Sequence, residues 1–278
     1  MNSAALTTEQ ISAYHLDGFL IIKNFFSNAE ISKLYDTAIH DTAVSRNAIN
    51  VNDRTGKSSK LSLWYKPGDD VYGLLTRSYR MVSAANLLLD GDSAVCHYHS
   101  KLMQKEPRVG GAWEWHQDYG YWYKNEFLFP DQMLSVMIAF TDATKENGCL
   151  QVIRGSHKIG RVEHGFSGEQ VGASQTFVDL ALKTMDHIFV ELKGGDALFF
   201  HSNLLHRSEA NLSENPRWSL ISCYNRQTNM GHNESSSNSS STTPINVVPD
   251  DAILSRTAKG LNVTDAGMLS KEDDVSLK

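Results

Sequence analysis

The run Trp113-Glu114-Trp115-His116-Gln117-Asp118-Tyr119 places an imidazole and a carboxylate two residues apart. In an extended strand, residues two apart face the same way, so His116 and Asp118 are expected to offer two ligands to one metal ion. Two similar triplets fail that condition. His15-Leu16-Asp17 falls at the end of an expected helix, where positions two apart diverge by about 200°. His232-Asn233-Glu234 abuts a serine-rich stretch that offers nothing to hold a rigid site. A third ligand is expected from the segment that runs from His206 to Trp218. There His206 is read as closing one strand and Arg217 as opening the next, so that a hairpin brings both to one end of a barrel. His201, five residues before His206, competes for the role but does not stand one hairpin ahead of Arg217. Two histidines and one carboxylate on one face of Fe(II) leave three coordination positions open, which suits a bidentate 2-oxo acid and dioxygen. Arg217 would then grip the distal carboxylate of 2-oxoglutarate, because its planar fork matches a carboxylate and keeps its charge.

The elements that must position these residues are legible as texture. Thr7 to Gln10 and Ser27 to Glu30 match the capping box, in which a hydroxyl and a residue three later satisfy the first free N–H groups of a helix. The first helix is expected to stop at Gly18, Phe19–Ile22 to form a short strand, and the second helix to bury Ile31, Leu34, Ala38 and Ile39. Residues 44–60 turn polar and read as an irregular loop, the kind that orders over a ligand. From about Ala94 the chain becomes short apolar runs cut by turn signals, the texture of an all-β sandwich or barrel. Expected strands are Val95–Met103, Met133–Thr141, Cys149–Ile153, His187–Lys193, Ala197–His201 and Trp218–Tyr224, with Gly194-Gly195 as a tight hairpin and further turns at Asn147-Gly148 and Gly155-Ser156. Ser235–Thr243 is too polar for a core, so residues 1–230 read as one domain and residues 231–278 as a tail or flap.

The 278 residues carry 26 Lys plus Arg against 32 Asp plus Glu, a formal charge of -6, so the chain has no general attraction for phosphate backbones and nucleic acid is not an expected partner. Three scattered cysteines, Cys96, Cys149 and Cys223, show no CxxC spacing, which argues against a disulfide framework or a thiolate zinc site. No run approaches the roughly 20 apolar residues that span a bilayer, and the first residues lack the pattern of a secretory signal. A cytoplasmic location is therefore expected, with no membrane partner. The Asn-x-Ser/Thr sequons at Asn211, Asn233, Asn238 and Asn262 are read as chance.

Taken together, Gly18-Phe19-Leu20-Ile21, His116-Gln117-Asp118, Asn147-Gly148-Cys149-Leu150, Gly155-Ser156-His157, His206 and Arg217 resemble the phytanoyl-CoA dioxygenase family of Fe(II)/2-oxoglutarate oxygenases over residues 8–228. The resemblance implies a mainly β, α+β fold: a double-stranded β-helix, jelly-roll or cupin-like core, with flanking N-terminal helices. It implies that His116, Asp118 and His206 bind iron, and that Arg217 and Ser208 hold the distal carboxylate of 2-oxoglutarate. Lys101 and Met137 fall where family members line the cosubstrate pocket, and Lys60 aligns with a lysine that some of them use. The implied reaction takes O2 and 2-oxoglutarate to succinate and CO2 while hydroxylating an unactivated C–H bond of a small molecule. Halogenating relatives replace the carboxylate with a small residue, so Asp118 favours hydroxylation.

The substrate is less determined. Trp115, Tyr119 and Trp122, with Trp113, Tyr121 and Tyr123, crowd the metal pair; they either cage a cationic substrate or pack the barrel. Arg226, after the strand Trp218–Tyr224, either reaches an anionic group or is a solvated charge. His40, His97, His164 and His187 are read as structural. No basic cluster suits a coenzyme A pyrophosphate, which favours a small polar or zwitterionic metabolite over an acyl-CoA or natural-product scaffold. Two rivals stand beside an oxygenase: a metal-dependent cupin of other chemistry, and a catalytically silent binding protein. The first gives Arg217 and Ser208 no purpose, and the second is disfavoured because all three ligands and the arginine are present together.

Overall fold

The computed structural model describes residues 6–126, 128–232 and 241–269. Both capping boxes form. Thr7 and Gln10 exchange side-chain and backbone bonds ahead of α1 (Thr8–Asp17), and Ser27 and Glu30 do so ahead of α2 (Asn28–His40). Gly18 ends α1 at φ 82°, a left-handed conformation that suits glycine, and a Cβ there would lie 2.4 Å from the His157 ring. β1 (Phe19–Ile22) follows directly. In α2, Ile31, Leu34 and Ala38 are buried as expected, whereas Ile39 is exposed on the opposite face.

Residues 44–60 correct the loop expectation. They hold the end of α3 (Thr42–Arg46), then β2 (Ile49–Asn52) and the start of β3 (Ser58–Trp64), an antiparallel hairpin at the edge of the main sheet. Asp53 builds its turn, one carboxylate oxygen accepting from the Thr55 N–H, the Thr55 hydroxyl and the Lys57 N–H. Ile49 and Val51 point inward while Asn50 between them faces out, a short alternation that composition alone hides.

The chain continues through α4 (Val71–Thr76), α5 (Tyr79–Leu88), β4 (Val95–Lys105), β5 (Trp113–His116), α6 (Asp118–Glu126), β6 (Met133–Ala139), β7 (Leu150–Ile153), β8 (His164–Ser167) and β9 (Gln170–Ala173). It ends with α7 (Gln175–Thr184), β10 (His187–Val190), β11 (Ala197–His201), β12 (His206–Ser208), β13 (Arg217–Arg226), β14 (Thr243–Pro244), α8 (Ala252–Ser255) and α9 (Val263–Ala266). Two antiparallel sheets result. The larger runs β1-β11-β6-β13-β4-β3-β2, with β14 on β4; the smaller runs β10-β7-β12-β5; β8 and β9 form a separate hairpin.

The sheets pack face to face as a jelly roll, with Met103, Met137, Leu198 and Ile221 of one meeting Leu150, Val152 and Val190 of the other. The outer face of the larger sheet, with Leu102, Leu134, Val136, Ile138 and Leu220, is covered by α1, α2, α4 and α5 through residues such as Tyr14, Leu34, Leu74 and Ala85. β6 is buried on both faces, which is why it reads as a nearly continuous apolar run. Gly194-Gly195 is not a hairpin, because β10 and β11 belong to different sheets. Gly195, at φ 93°, turns the corner between them, and a Cβ there would lie 2.4 Å from Phe26 O.

The expected tail is corrected where it is described. Residues 241–269 pack on the body: β14 pairs with β4, and Val248, Ile253, Leu261 and Ala266 join the helix-side core. Most of the serine-rich stretch and residues 270–278 lie outside the described residues.

Candidate metal centre

His116 and Asp118 do not share a strand. His116 is the last residue of β5, and Asp118 is the first of α6. The corner between them is pinned by Gln117, whose amide donates to Gly160 O and Asn203 O and accepts from the Val162 N–H, while its own N–H donates to His164 Nε2. His206 opens β12 rather than closing a strand, and it pairs in register with His116. The two imidazole rings stand 4.1 Å apart, and one donor atom from each of His116, Asp118 and His206 lies within 4.8 Å of the other two. All three residues are buried.

The hydrogen bonds around this trio fix which atoms remain available. His116 Nδ1 lies 2.7 Å from Glu114 O and His206 Nδ1 lies 2.9 Å from Leu204 O. A carbonyl only accepts, so both Nδ1 atoms carry the proton and both Nε2 lone pairs are free. Burial, then the neighbouring His206, pushes His116 well below the ordinary imidazole range, and burial also lowers His206, so both stay neutral. Burial alone would raise the Asp118 carboxyl, but Lys101 and the two imidazoles outweigh it and hold it below the usual range. Ser135 donates to Asp118 Oδ2 at 2.6 Å and Lys101 to Oδ1 at 3.2 Å.

A second cluster lies along β12. Ser208 is two residues past His206, about 7 Å along the same face. Its hydroxyl accepts from Lys105 Nζ at 2.8 Å, and Lys105 also donates to Glu209 O. Lys105 is in register with Arg217, the first residue of β13. His206 and Arg217 therefore sit on strands of different sheets, and a crossover, not a hairpin, brings them to one end of the barrel. Arg217 is buried, donates Nη1 to Gly148 O at 2.8 Å, and has no partner for its buried Nε. Burial lowers the guanidinium to about 10; burial and then Arg217 push Lys105 well below the ordinary lysine range. Lys105 was not singled out from the sequence. The available signal is its separation of four from Lys101, which puts both on one face of β4.

The other expected site residues divide. Met137 is on the inner face of β6, two residues from Ser135. Lys60 is exposed and pairs with Gln104, on the opposite face from Lys101, because the β3–β4 register puts Leu61 and Leu63 inward. Trp115 alternates with His116 and so points outward, packing with Ile153, Val178 and Leu205 beneath Arg207. Tyr119 donates to Leu128 O, and Trp122 packs on Tyr98 and His99 inside the barrel. Aromatic rings beside the trio are Phe200, 5.0 Å from His206, and Tyr121 and Trp113, 5.5 Å and 6.4 Å from His116. Arg226 is neither solvated nor free: β13 extends two residues past Tyr224, and its guanidinium donates to Asp90 O, Ser93 O, Leu89 O and both oxygens of Asn86, at the C-terminal end of α5. His201 pairs with Asp131 at 3.1 Å, away from the trio. The three cysteines are buried and unpaired by disulfides. Among the described residues, no helix is long and apolar enough to cross a membrane.

A model of the family described as phytanoyl-CoA dioxygenase matches residues 14–219. An ectoine dioxygenase of Bordetella parapertussis is 25% identical over 239 residues, covering 81% of this chain and 77% of its own. An L-proline trans-4-hydroxylase of Streptomyces griseoviridis is 29% identical over 232 residues, covering 78% and 85%. Among solved structures, EctD from S. alaskensis in its apoform superposes with a TM-score of 0.69 at 23% identity, covering 84% of this chain and 81% of that one. The same protein with 2-oxoglutarate and 5-hydroxyectoine superposes at 0.66, with 20% identity and coverages of 94% and 87%. These superpositions carry the fold.

Proposed function

The chain belongs to the phytanoyl-CoA dioxygenase family, and from that premise we propose that it is an Fe(II)- and 2-oxoglutarate-dependent dioxygenase that hydroxylates an unactivated C–H bond of a small polar or zwitterionic metabolite. The observation that carries this reading is the convergence of two neutral imidazoles, each with Nε2 free, on one buried carboxylate. That donor set fits non-haem Fe(II) and leaves coordination positions for a chelating acid and dioxygen. The bare Nε of Arg217 supports the cosubstrate in the same way: a buried guanidinium with an unfilled donor fits an incoming carboxylate.

Iron, 2-oxoglutarate and O2 together supply the oxidising power for hydroxylation, with succinate and CO2 as co-products. The chain's own residues hold and orient. His116, Asp118 and His206 are the iron ligands; Ser135 fixes the Asp118 carboxylate by its second oxygen. Arg217 and Ser208 take the distal carboxylate, and Lys105 holds the Ser208 hydroxyl in place. Met137 and the inward residues of both sheets keep water from the reacting carbon. Ectoine and L-proline, named in two relatives, are small zwitterions and define the class to be screened first.

The test is substrate-stimulated succinate release in air, with Fe(II) and 2-oxoglutarate, across small zwitterions, neutral solutes and acyl-CoA thioesters. One small zwitterion is expected to raise succinate formation and to gain one oxygen atom by mass. Stimulation by thioesters alone would overturn the substrate class. No succinate with any compound would overturn the reaction.

A further inference from the structure

Lys101 occupies an awkward place for a residue beside a metal site. Its ammonium donates to Asp118 Oδ1, and that same oxygen faces His206 Nε2 at 4.0 Å. The other carboxylate oxygen is already held by Ser135. Oδ1 is therefore the oxygen presented to the point where the three donors converge, and the lysine covers it. A divalent cation at that point takes Oδ1 and repels an ammonium a few ångströms away. A half-buried ammonium left without an anion is costly, and Lys101 has no other hydrogen-bond partner among the described residues, so it must move to a new one.

A count of charges says where. A divalent metal and the dianion of 2-oxoglutarate cancel. Asp118 offsets one of the two remaining cations, Lys101 and Arg217, while Lys105 is driven towards its neutral form. One positive charge is left over inside the barrel. The keto acid has its distal carboxylate on Arg217 and its other end on the metal, so neither end is left for Lys101. The lysine also lies on the accessible side of the trio: its side chain keeps 16% of its surface exposed, against 3% for Asp118 and 4% for His206. Its flexible four-carbon stem lets the head swing while the backbone stays in β4.

On the reading given under Proposed function, we propose that Lys101 binds a carboxylate of the primary substrate, exchanging Asp118 for it when the metal enters, and that the substrate is a small amino acid or related carboxylic acid. A neutral or purely cationic molecule leaves the surplus charge unmet, and an acyl thioester has no carboxylate at its acyl end.

The experiment uses the full chain loaded with Mn(II), which binds such sites without turnover, and follows binding by calorimetry. 2-Oxoglutarate is titrated first, then a panel of amino acids headed by L-proline, each matched with its primary amide. The wild type is expected to bind at least one acid about tenfold or more tighter than its amide. Lys101→Met is expected to bring that acid down to the level of its amide, with the 2-oxoglutarate affinity changed by less than about twofold, and Lys101→Arg to retain the preference. Equal binding of acid and amide by the wild type, no binding of any acid, or unchanged acid binding in Lys101→Met overturns the proposal. Loss of 2-oxoglutarate in place of the acid also overturns it, because the lysine then serves the cosubstrate. A wild type that binds no 2-oxoglutarate contradicts the dioxygenase reading itself; in every other failure that reading stands.

Discussion

Arg217 shows how much one side chain is asked to do. It is buried, its one hydrogen bond among the described residues goes to Gly148 O, and its bare Nε is matched only when a carboxylate arrives. A charge-assisted hydrogen bond in such a setting contributes about 1.5–3 kcal/mol. Arg217→Ala is therefore expected to raise the 2-oxoglutarate concentration for half-maximal turnover by roughly 10- to 100-fold, measured by succinate release; an unchanged requirement contradicts the cosubstrate assignment. At this scale the convergence of His116, Asp118 and His206 was legible, because few residue types ligate a metal. Their surroundings were not. Lys105 and Ser135 meet Ser208 and Asp118 only because elements distant in sequence pack on one another. Of the two readings open for Trp115 the alternation of β5 gives packing, whereas Arg226 fits neither of its two readings because β13 runs on past Tyr224.

Among the elements, the turn before β7 has no room for a side chain. Gly148 sits at φ 76°, its carbonyl receives Arg217, and an added Cβ would lie 2.1 Å from Glu209 O, the carbonyl that Lys105 also uses. Gly148→Ala is expected to cost at least about 1–3 kcal/mol of stability and to weaken 2-oxoglutarate binding, read by denaturant unfolding and by calorimetry on the same variant. Loss of stability without loss of cosubstrate binding would show that the turn supports the fold alone. The capped helices and the apolar strands were readable because their signals are local. The β2–β3 hairpin, the strand-to-helix corner at Gln117 and the inter-sheet corner at Gly195 were not, because each depends on a partner distant in sequence: Leu61 on Met103, Gln117 on Val162, Gly195 on Phe26.

At the scale of the molecule, the helices and the C-terminal segment together cover the outer face of the larger sheet. Ile253 in α8 is fully buried there, so Ile253→Ala is expected to cost about 2–5 kcal/mol, measured by chemical denaturation; a change near zero would mean that residues 241–269 hang free in solution. Stability is also expected to fall with acid. Burial holds His97 and His164 down to about 4, whereas in the unfolded chain an imidazole titrates near about 6.5. Between those values the unfolded chain binds more protons, so the stability is complete above about 6.5 and is lost as pH falls towards 4. Denaturation midpoints from neutral pH downward check this, and His97→Gln is expected to flatten the slope. The most direct measurement of the whole is the visible absorption of the protein with Fe(II) and 2-oxoglutarate in the absence of dioxygen. A weak metal-to-ligand band is expected in the wild type, absent after chelation and in His206→Ala, and present in Arg217→Ala only at raised 2-oxoglutarate. No band in the wild type, or one of undiminished intensity in His206→Ala, would contradict an iron centre held by His116, Asp118 and His206.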